Sequence, residues 1–231
     1  MVGFEQVQRS FGIGRGMTAL IGGGGKSTFL LKLSEELCPF GSVLLTTGTH
    51  FYPPSGVPFS KTLERPLAFG ERLTVGTPCE DGKLTVPKQP FETLCSLADF
   101  VLVEADGARG LPLKAHAAHE PAVPDGCRAV LAVVGLDGIG KRIREAAHRP
   151  ALYAARLGVS EETVVSPALA AKAVCRYPGV TGVVLNKADT PERLALARET
   201  ARLLPGVVLI AALQSDIPYL EIWRNGTCWL S

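Results

Sequence analysis

One stretch constrains this chain more than any other: Ala19-Leu-Ile-Gly-Gly-Gly-Gly-Lys-Ser-Thr28. The apolar run Met17 to Ile21 predicts a short buried strand, and a helical pattern opens at Phe29. Strand, glycine turn, lysine, hydroxyl and helix, in that order, form the layout of a phosphate cradle. Glycines let the backbone turn sharply and bring N–H groups against an anion with no Cβ between them. The helix N-terminus adds unpaired donors and the positive end of its dipole. In this reading Gly22, Gly23, Gly24, Gly25, Lys26, Ser27 and Thr28 bind phosphates. Lys26 reaches the outer ones, and the Ser27 hydroxyl holds Mg²⁺. The match is to the shorter G-x-x-G-K-[ST], because Leu20 stands where the longer G-x-x-x-x-G-K-[ST] has its first glycine.

The remainder predicts an α/β chain with a mainly parallel sheet flanked by helices. Leu30, Leu33 and Leu37 continue the first helix from about Ser27 to Leu37, and Pro39 and Gly41 stop it. Continuous apolar runs predict further buried strands at Ser42–Thr46, Phe100–Val103, Ala129–Val134, Val180–Leu185 and Val207–Ala211. Helices are expected at Phe91–Leu97, Pro150–Leu157, Ser166 to about Arg176, and Thr190–Leu204. Residues 51–90 are proline-rich. Leu73–Val75 and Leu84–Val86 flank Asp81-Gly82, which predicts a small hairpin excursion from one domain spanning residues 1–231. Residues 1–16 are weakly specified, and the tail from Ile217 to Leu230 is expected to pack on the body.

Ligands of open parallel sheets sit beyond the carboxyl ends of the strands, so the strand-end residues are the candidates. Thr46, Thr47, Thr49 and His50 end the second strand. Glu104 and Asp106 end the next, an acidic terminus suited to share a cation with Ser27 or to orient a water. The candidate catalytic set is therefore Lys26, Glu104 and Asp106, and the metal set Ser27, Glu104 and Asp106. Arg109, Lys114, His116 and Lys141 join Thr46, Thr47 and His50 as second-substrate or switch candidates; His116 and His119 without a third ligand are weak evidence for a metal. Asn186-Lys187-Ala188-Asp189 is the N-K-x-D sequence that reads guanine. A carboxylate at Asp189 accepts from both N1–H and the exocyclic amine, which adenine does not offer in that arrangement. Asn186 braces the loop and Lys187 lies against the base or the phosphate loop. The competing reading makes Thr190 or Asp189 a helix cap.

Net charge is +2, with no strongly basic run, which disfavours nucleic acid as a partner. No long apolar segment or leader pattern is evident, so a cytoplasmic protein without membrane attachment is expected. The six cysteines are scattered without a C-x-x-C pair, which fits free thiols rather than a disulfide framework or zinc site.

Taken together, Gly22 to Thr28, Thr46 to Thr49, Val103 to Ala108, Leu113-Lys114, His119-Glu120-Pro121 and Asn186 to Asp189 resemble the YqeC family, selenium-dependent hydroxylase accessory proteins. The resemblance covers most of the chain in one order. It departs at Gly48-Thr49-His50, where the family tends to read Thr-Thr-Lys. The resemblance implies a P-loop NTPase-like nucleotide binder, with a loop of SIMIBI or Mur-ligase type. It also implies an association with maturation of selenium-dependent molybdenum hydroxylases, with a molybdenum hydroxylase or cofactor-maturation protein as partner. The acidic strand end resembles that of dethiobiotin synthetase-like enzymes. Three readings stand open: a Mg²⁺-dependent GTP-binding, GTP-hydrolysing accessory protein; an ATP-dependent synthetase or kinase acting on a small cofactor precursor; and a structural partner whose nucleotide only stabilises the fold.

Overall fold

A computed structural model describes residues 2–230; Met1 and Ser231, the two ends of the expected domain, lie outside the described residues. The main sheet has ten strands: β1 (Gly16–Gly22), β2 (Val43–Thr47), β3 (Phe59–Ser60), β4 (Arg72–Val75), β5 (Phe100–Glu104), β6 (Ala129–Gly135), β7 (Gly182–Asn186), β8 (Val207–Ala211), β9 (Tyr219–Arg224) and β10 (Thr227–Leu230). Their order is β10-β9-β8-β7-β6-β1-β5-β2-β4-β3. From β8 to β3 every neighbouring pair is parallel, and β9 and β10 add an antiparallel edge. The central strands are buried along nearly their whole length, which is why they read as continuous apolar runs rather than alternating ones.

Helices cover both faces. Helices α1 (Phe4–Phe11) and α2 (Lys26–Leu37) pack Phe11, Phe29, Leu30 and Leu33 against Leu20, Leu102, Leu131 and Val184. The opposite face, including Ile21, Val103, Ala132 and Leu185, receives α3 (Phe91–Leu97), α4 (Ile143–Ala146), α5 (Pro150–Leu157), α6 (Pro167–Val174) and α7 (Pro191–Arg202). Alternate residues of each strand therefore feed two separate cores. Ser166 and Thr190 cap α6 and α7 with their hydroxyls, and Gly158 ends α5 in the left-handed conformation.

Two expectations for the chain between β2 and β5 are corrected. Leu73–Val75 does not pair with Leu84–Val86; it belongs to β4 and lies parallel to β2 in the main sheet. Leu84–Thr85 pairs instead with His50–Phe51 and Thr77–Pro78 in a separate three-stranded antiparallel piece. The tail adds β9 and β10, a hairpin turning at Asn225-Gly226 with both residues at positive φ.

The topology fixes where a ligand belongs. The chain leaves β5 on one side of β1 and re-enters the sheet at β6 on the other, so the order switches direction at β1. The glycine loop that follows β1 sits at this switch point, beyond the carboxyl ends of the parallel strands.

Candidate functional site

The four glycines are required by contact. A Cβ on Gly24 would fall 2.3 Å from the Cα and N of Gly135, and one on Gly25 2.3 Å from Asn186 Nδ2; both glycines hold positive φ. The loop is thus threaded between β6 and β7, with no room for a side chain.

Its first amides face inward. Gly22 N donates to Asp106 Oδ2 at 2.7 Å, Gly23 N to the Val133 carbonyl and Gly24 N to the Leu111 carbonyl. The donors left at the cleft belong to the first turn of α2: the amides of Lys26, Ser27 and Thr28 have no intrahelical acceptor. Gly24, Gly25, Lys26, Ser27 and Thr28 line a cleft of about 1290 Å³; Gly22 and Gly23 do not.

The two acids of β5 divide their work. Glu104 lines the cleft and accepts from Ser27 Oγ at 2.8 Å. Burial raises its pKa, partly offset by the Lys26 charge and the Ser27 hydrogen bond. Asp106 is turned under the loop. Lys26 Nζ lies 3.0 Å from Asp106 Oδ1, and His116 Nε2 2.6 Å from Oδ2. Burial opposes ionisation of Asp106, but the Lys26 charge, the His116 hydrogen bond, Lys114 and the Gly22 amide outweigh it and hold its pKa at about 2.

Several second-substrate candidates prove to be internal supports. Lys114 is fully buried; its ammonium donates to the Gly107 carbonyl and to Glu120 Oε1. His116 is buried edge-on against Tyr177, whose hydroxyl donates to the Lys114 carbonyl at 2.6 Å. His119 is exposed, so the two histidines do not form a pair. Thr46 and Thr47 are buried, and Thr47 Oγ1 donates to the Glu104 carbonyl. Lys141 is exposed and does not line the cleft. His50 and Arg109 do line it.

At the far wall, Asn186 joins three loops. Its Nδ2 donates to the Gly24 carbonyl at 2.8 Å, and its Oδ1 accepts the Leu213 amide at 3.2 Å. Lys187 pairs with Asp137 at 2.8 Å. Asp189 is half exposed at the cleft and pairs with Arg193. The cap of α7 is made by Thr190, whose Oγ1 accepts from Arg193 N; the Asp189 carboxylate is not used for that purpose.

Sequence reasoning passed over two features of the lining: the loop after β8, and the pairing of Glu120 with Arg149. Leu213–Ser215 follow β8, whose carboxyl end reaches the cleft as those of its parallel neighbours do. Glu120 and Arg149 form an ion pair at another wall, held by a two-strand parallel piece between Leu113–Lys114 and Ala147–His148. The strand-end rule could have found the first; the second depends on a contact between distant loops. Among the described residues, no group of three His, Cys, Asp or Glu side chains is placed to hold a metal ion. No helix among them is long and apolar enough to cross a membrane.

Fold and site define an α/β protein whose mostly parallel sheet presents a glycine loop, an acidic strand end and an Asn-Lys-x-Asp loop to one cleft. A model of the family described as YqeC protein matches residues 18–151, and the chain belongs to that family. It is 31% identical over 163 residues to a protein of Escherichia coli (strain K12) named "Uncharacterized protein YqeC", covering 64% of this chain and 62% of that one. The chain thus spans about three-fifths of that relative's length. No solved structure matches.

Proposed function

We propose that this protein is a P-loop NTPase-like protein that binds and hydrolyses a nucleoside triphosphate, GTP in preference to ATP, with Mg²⁺. The observation that carries this reading is the Asn186 bridge. One side chain ties the glycine loop to the loop after β8, and so fixes the Asp189 segment relative to the N-terminus of α2 across one cleft. A nucleotide needs these two features at opposite ends of one site: amides and a lysine for phosphates, a carboxylate for guanine. Because Thr190 supplies the helix cap, the Asp189 carboxylate is not used there; its Oδ1 pairs with Arg193, and a guanine edge would take its hydrogen bonds in place of or beside that pair.

The donor set fits Mg²⁺. Ser27 Oγ and Glu104 Oε2 are two hard oxygens 2.8 Å apart at the cleft, and Mg²⁺ takes one or two protein oxygens with phosphates and water as the rest. Mg²⁺ bound there would neutralise phosphate charge. The chain's own contribution is positioning. The first-turn amides of α2 hold the phosphates, Asp106 and the Gly22 carbonyl hold Lys26, and Glu104 holds the Ser27 hydroxyl. The accessory role in maturation of selenium-dependent molybdenum hydroxylases rests on the family resemblance alone.

The size of the cleft favours a second reading, in which ATP or GTP acts on a small precursor held alongside. Thermal shift with GTP, GDP, ATP and ADP, each with Mg²⁺, tests the choice, because a ligand that binds only the folded state raises Tm. Stabilisation by guanine nucleotides alone supports the first reading. Stabilisation by adenine nucleotides alone removes it.

A further inference from the structure

The cleft is larger than one ligand requires. Its volume of about 1290 Å³ exceeds the range of roughly 300–1,000 Å³ usual for a small-molecule site. A nucleotide placed between α2 and Asp189 leaves the part walled by the loop after β2, the loop after β5 and the segment before α5.

That part is cationic and undercompensated. Arg109 is exposed and has no ion-pair or hydrogen-bond partner among the described residues. Lys83 has no carboxylate partner either; its ammonium lies 5.2 Å from the centroid of the Tyr52 ring. Arg149 pairs with Glu120, a carboxylate it shares with Lys114, which also lies 3.9 Å from Asp106. Arg109 and Arg149 both hold positive φ, 50° and 63°, a conformation disfavoured for residues with a Cβ and concentrated at ligand sites. His148, which also lines the cleft, has a buried Nδ1 without a partner. Burial, then the charges of Lys114, Arg149 and Arg109, hold its pKa below the ordinary histidine range, with Glu120 acting in the opposite sense. Arg109, Arg149 and Lys83 all line this end of the cleft, with Glu120 as the carboxylate beside Arg149.

We infer that this half of the cleft is a second ligand site for a small molecule bearing a carboxylate or phosphate group, its anion held by Arg109, Arg149 and Lys83 and its body against Tyr52. It lies beside the nucleotide, and to that extent rests on the nucleotide reading of the other half. Arg forks suit either anion, since both offer paired oxygens.

Isothermal titration tests this on the full chain saturated with Mg²⁺ and a non-hydrolysable GTP analogue, so that the glycine loop is already filled and no phosphate is released. The probes are inorganic phosphate and succinate. At least one is expected to bind, with Kd raised ten-fold or more in the double variant R109Q/K83Q; whichever binds identifies the anionic group. Binding of neither, or an unchanged Kd in the variant, overturns the inference. If GTP itself does not bind, the nucleotide reading fails, and the anions are titrated against K26A, whose loop lacks its lysine. A ten-fold weaker Kd in K26A/R109Q/K83Q than in K26A sustains the second site, and equal values overturn it.

Discussion

The Lys26 ammonium lies 3.0 Å from Asp106 Oδ1, with both side chains buried. The pair holds one residue from both sides: Lys26 Nζ donates to the Gly22 carbonyl at 2.7 Å, while Asp106 accepts the Gly22 amide. The lysine that the sequence offers as a phosphate contact is therefore also the counter-ion that holds the glycine loop in shape.

Lys26→Ala removes the nearest cation from a fully buried carboxylate. Breaking one side of a buried pair costs about 3–5 kcal/mol. The His116 and Gly22 contacts to Asp106 remain, so a loss near 3 kcal/mol is expected in urea unfolding. A loss below about 1 kcal/mol would contradict the buried pair.

Acid should weaken the fold through the same residue. The Asp106 pKa is about 2 in the folded chain, below its ordinary value of about 3.9 in an unfolded one. The unfolded chain then binds more protons at low pH. The contribution of Asp106, about 2–3 kcal/mol, is complete above pH ~5 and is lost as pH falls through the folded value. Glu104 acts oppositely, because burial raises its pKa: its contribution is present below the unfolded value and lost as pH rises. Stability measured against pH for the chain and for Asp106→Asn should differ in slope between about pH 4 and 2. Parallel curves would show that Asp106 is not held in its ionised form.

Two glycines of similar φ should respond differently to alanine. Gly140 has φ +86, and a Cβ there would have nothing within 4 Å, so Gly140→Ala costs only the left-handed backbone, about 1–2 kcal/mol. Gly24 has φ +76, and its Cβ would meet the Gly135 backbone at 2.3 Å. Gly24→Ala adds overpacking against atoms that cannot rotate away, for a total of about 3 kcal/mol or more. Equal melting temperatures for the two variants would contradict the threaded loop.

His148 reports the field at the cationic end of the cleft. Burial is the first cause of its lowered pKa, and the charges of Lys114, Arg149 and Arg109 follow. Arg149→Gln removes one of those charges and frees Glu120, both of which favour the imidazolium. The His148 pKa read by NMR titration should rise. A fall or no change would show that the arginine is remote from it.

Much of the sheet was legible because its central strands are buried on both faces and carry unbroken apolar runs. Leu73–Val75 was placed wrongly because a short β-type run does not name its partner, and Asp81-Gly82 supplied a nearby turn that the chain uses otherwise. The β9–β10 hairpin carried a readable mark, Asn225-Gly226, between two runs that include both tryptophans. Helix α1 carried one too, in Phe4, Val7 and Phe11 followed by Gly12. At the site, the strand-end rule located Lys26, Glu104 and Asn186. It could not foresee that Asp106 would turn inward to Lys26 and His116, because those contacts arise only when β5 is laid beside β1.

The central claim is a nucleotide held between the N-terminus of α2 and Asp189. Calorimetric titration of the chain and of Asp189→Ala with Mg²⁺·GTP and Mg²⁺·ATP tests it most directly. The account predicts that the chain binds GTP at least ten-fold more tightly than ATP, and that Asp189→Ala loses this preference while keeping phosphate-dependent binding. That preference corresponds to about 1.4 kcal/mol or more, within the range of a paired base-edge contact. Equal affinities in the unsubstituted chain, or a preference that survives Asp189→Ala, would contradict it.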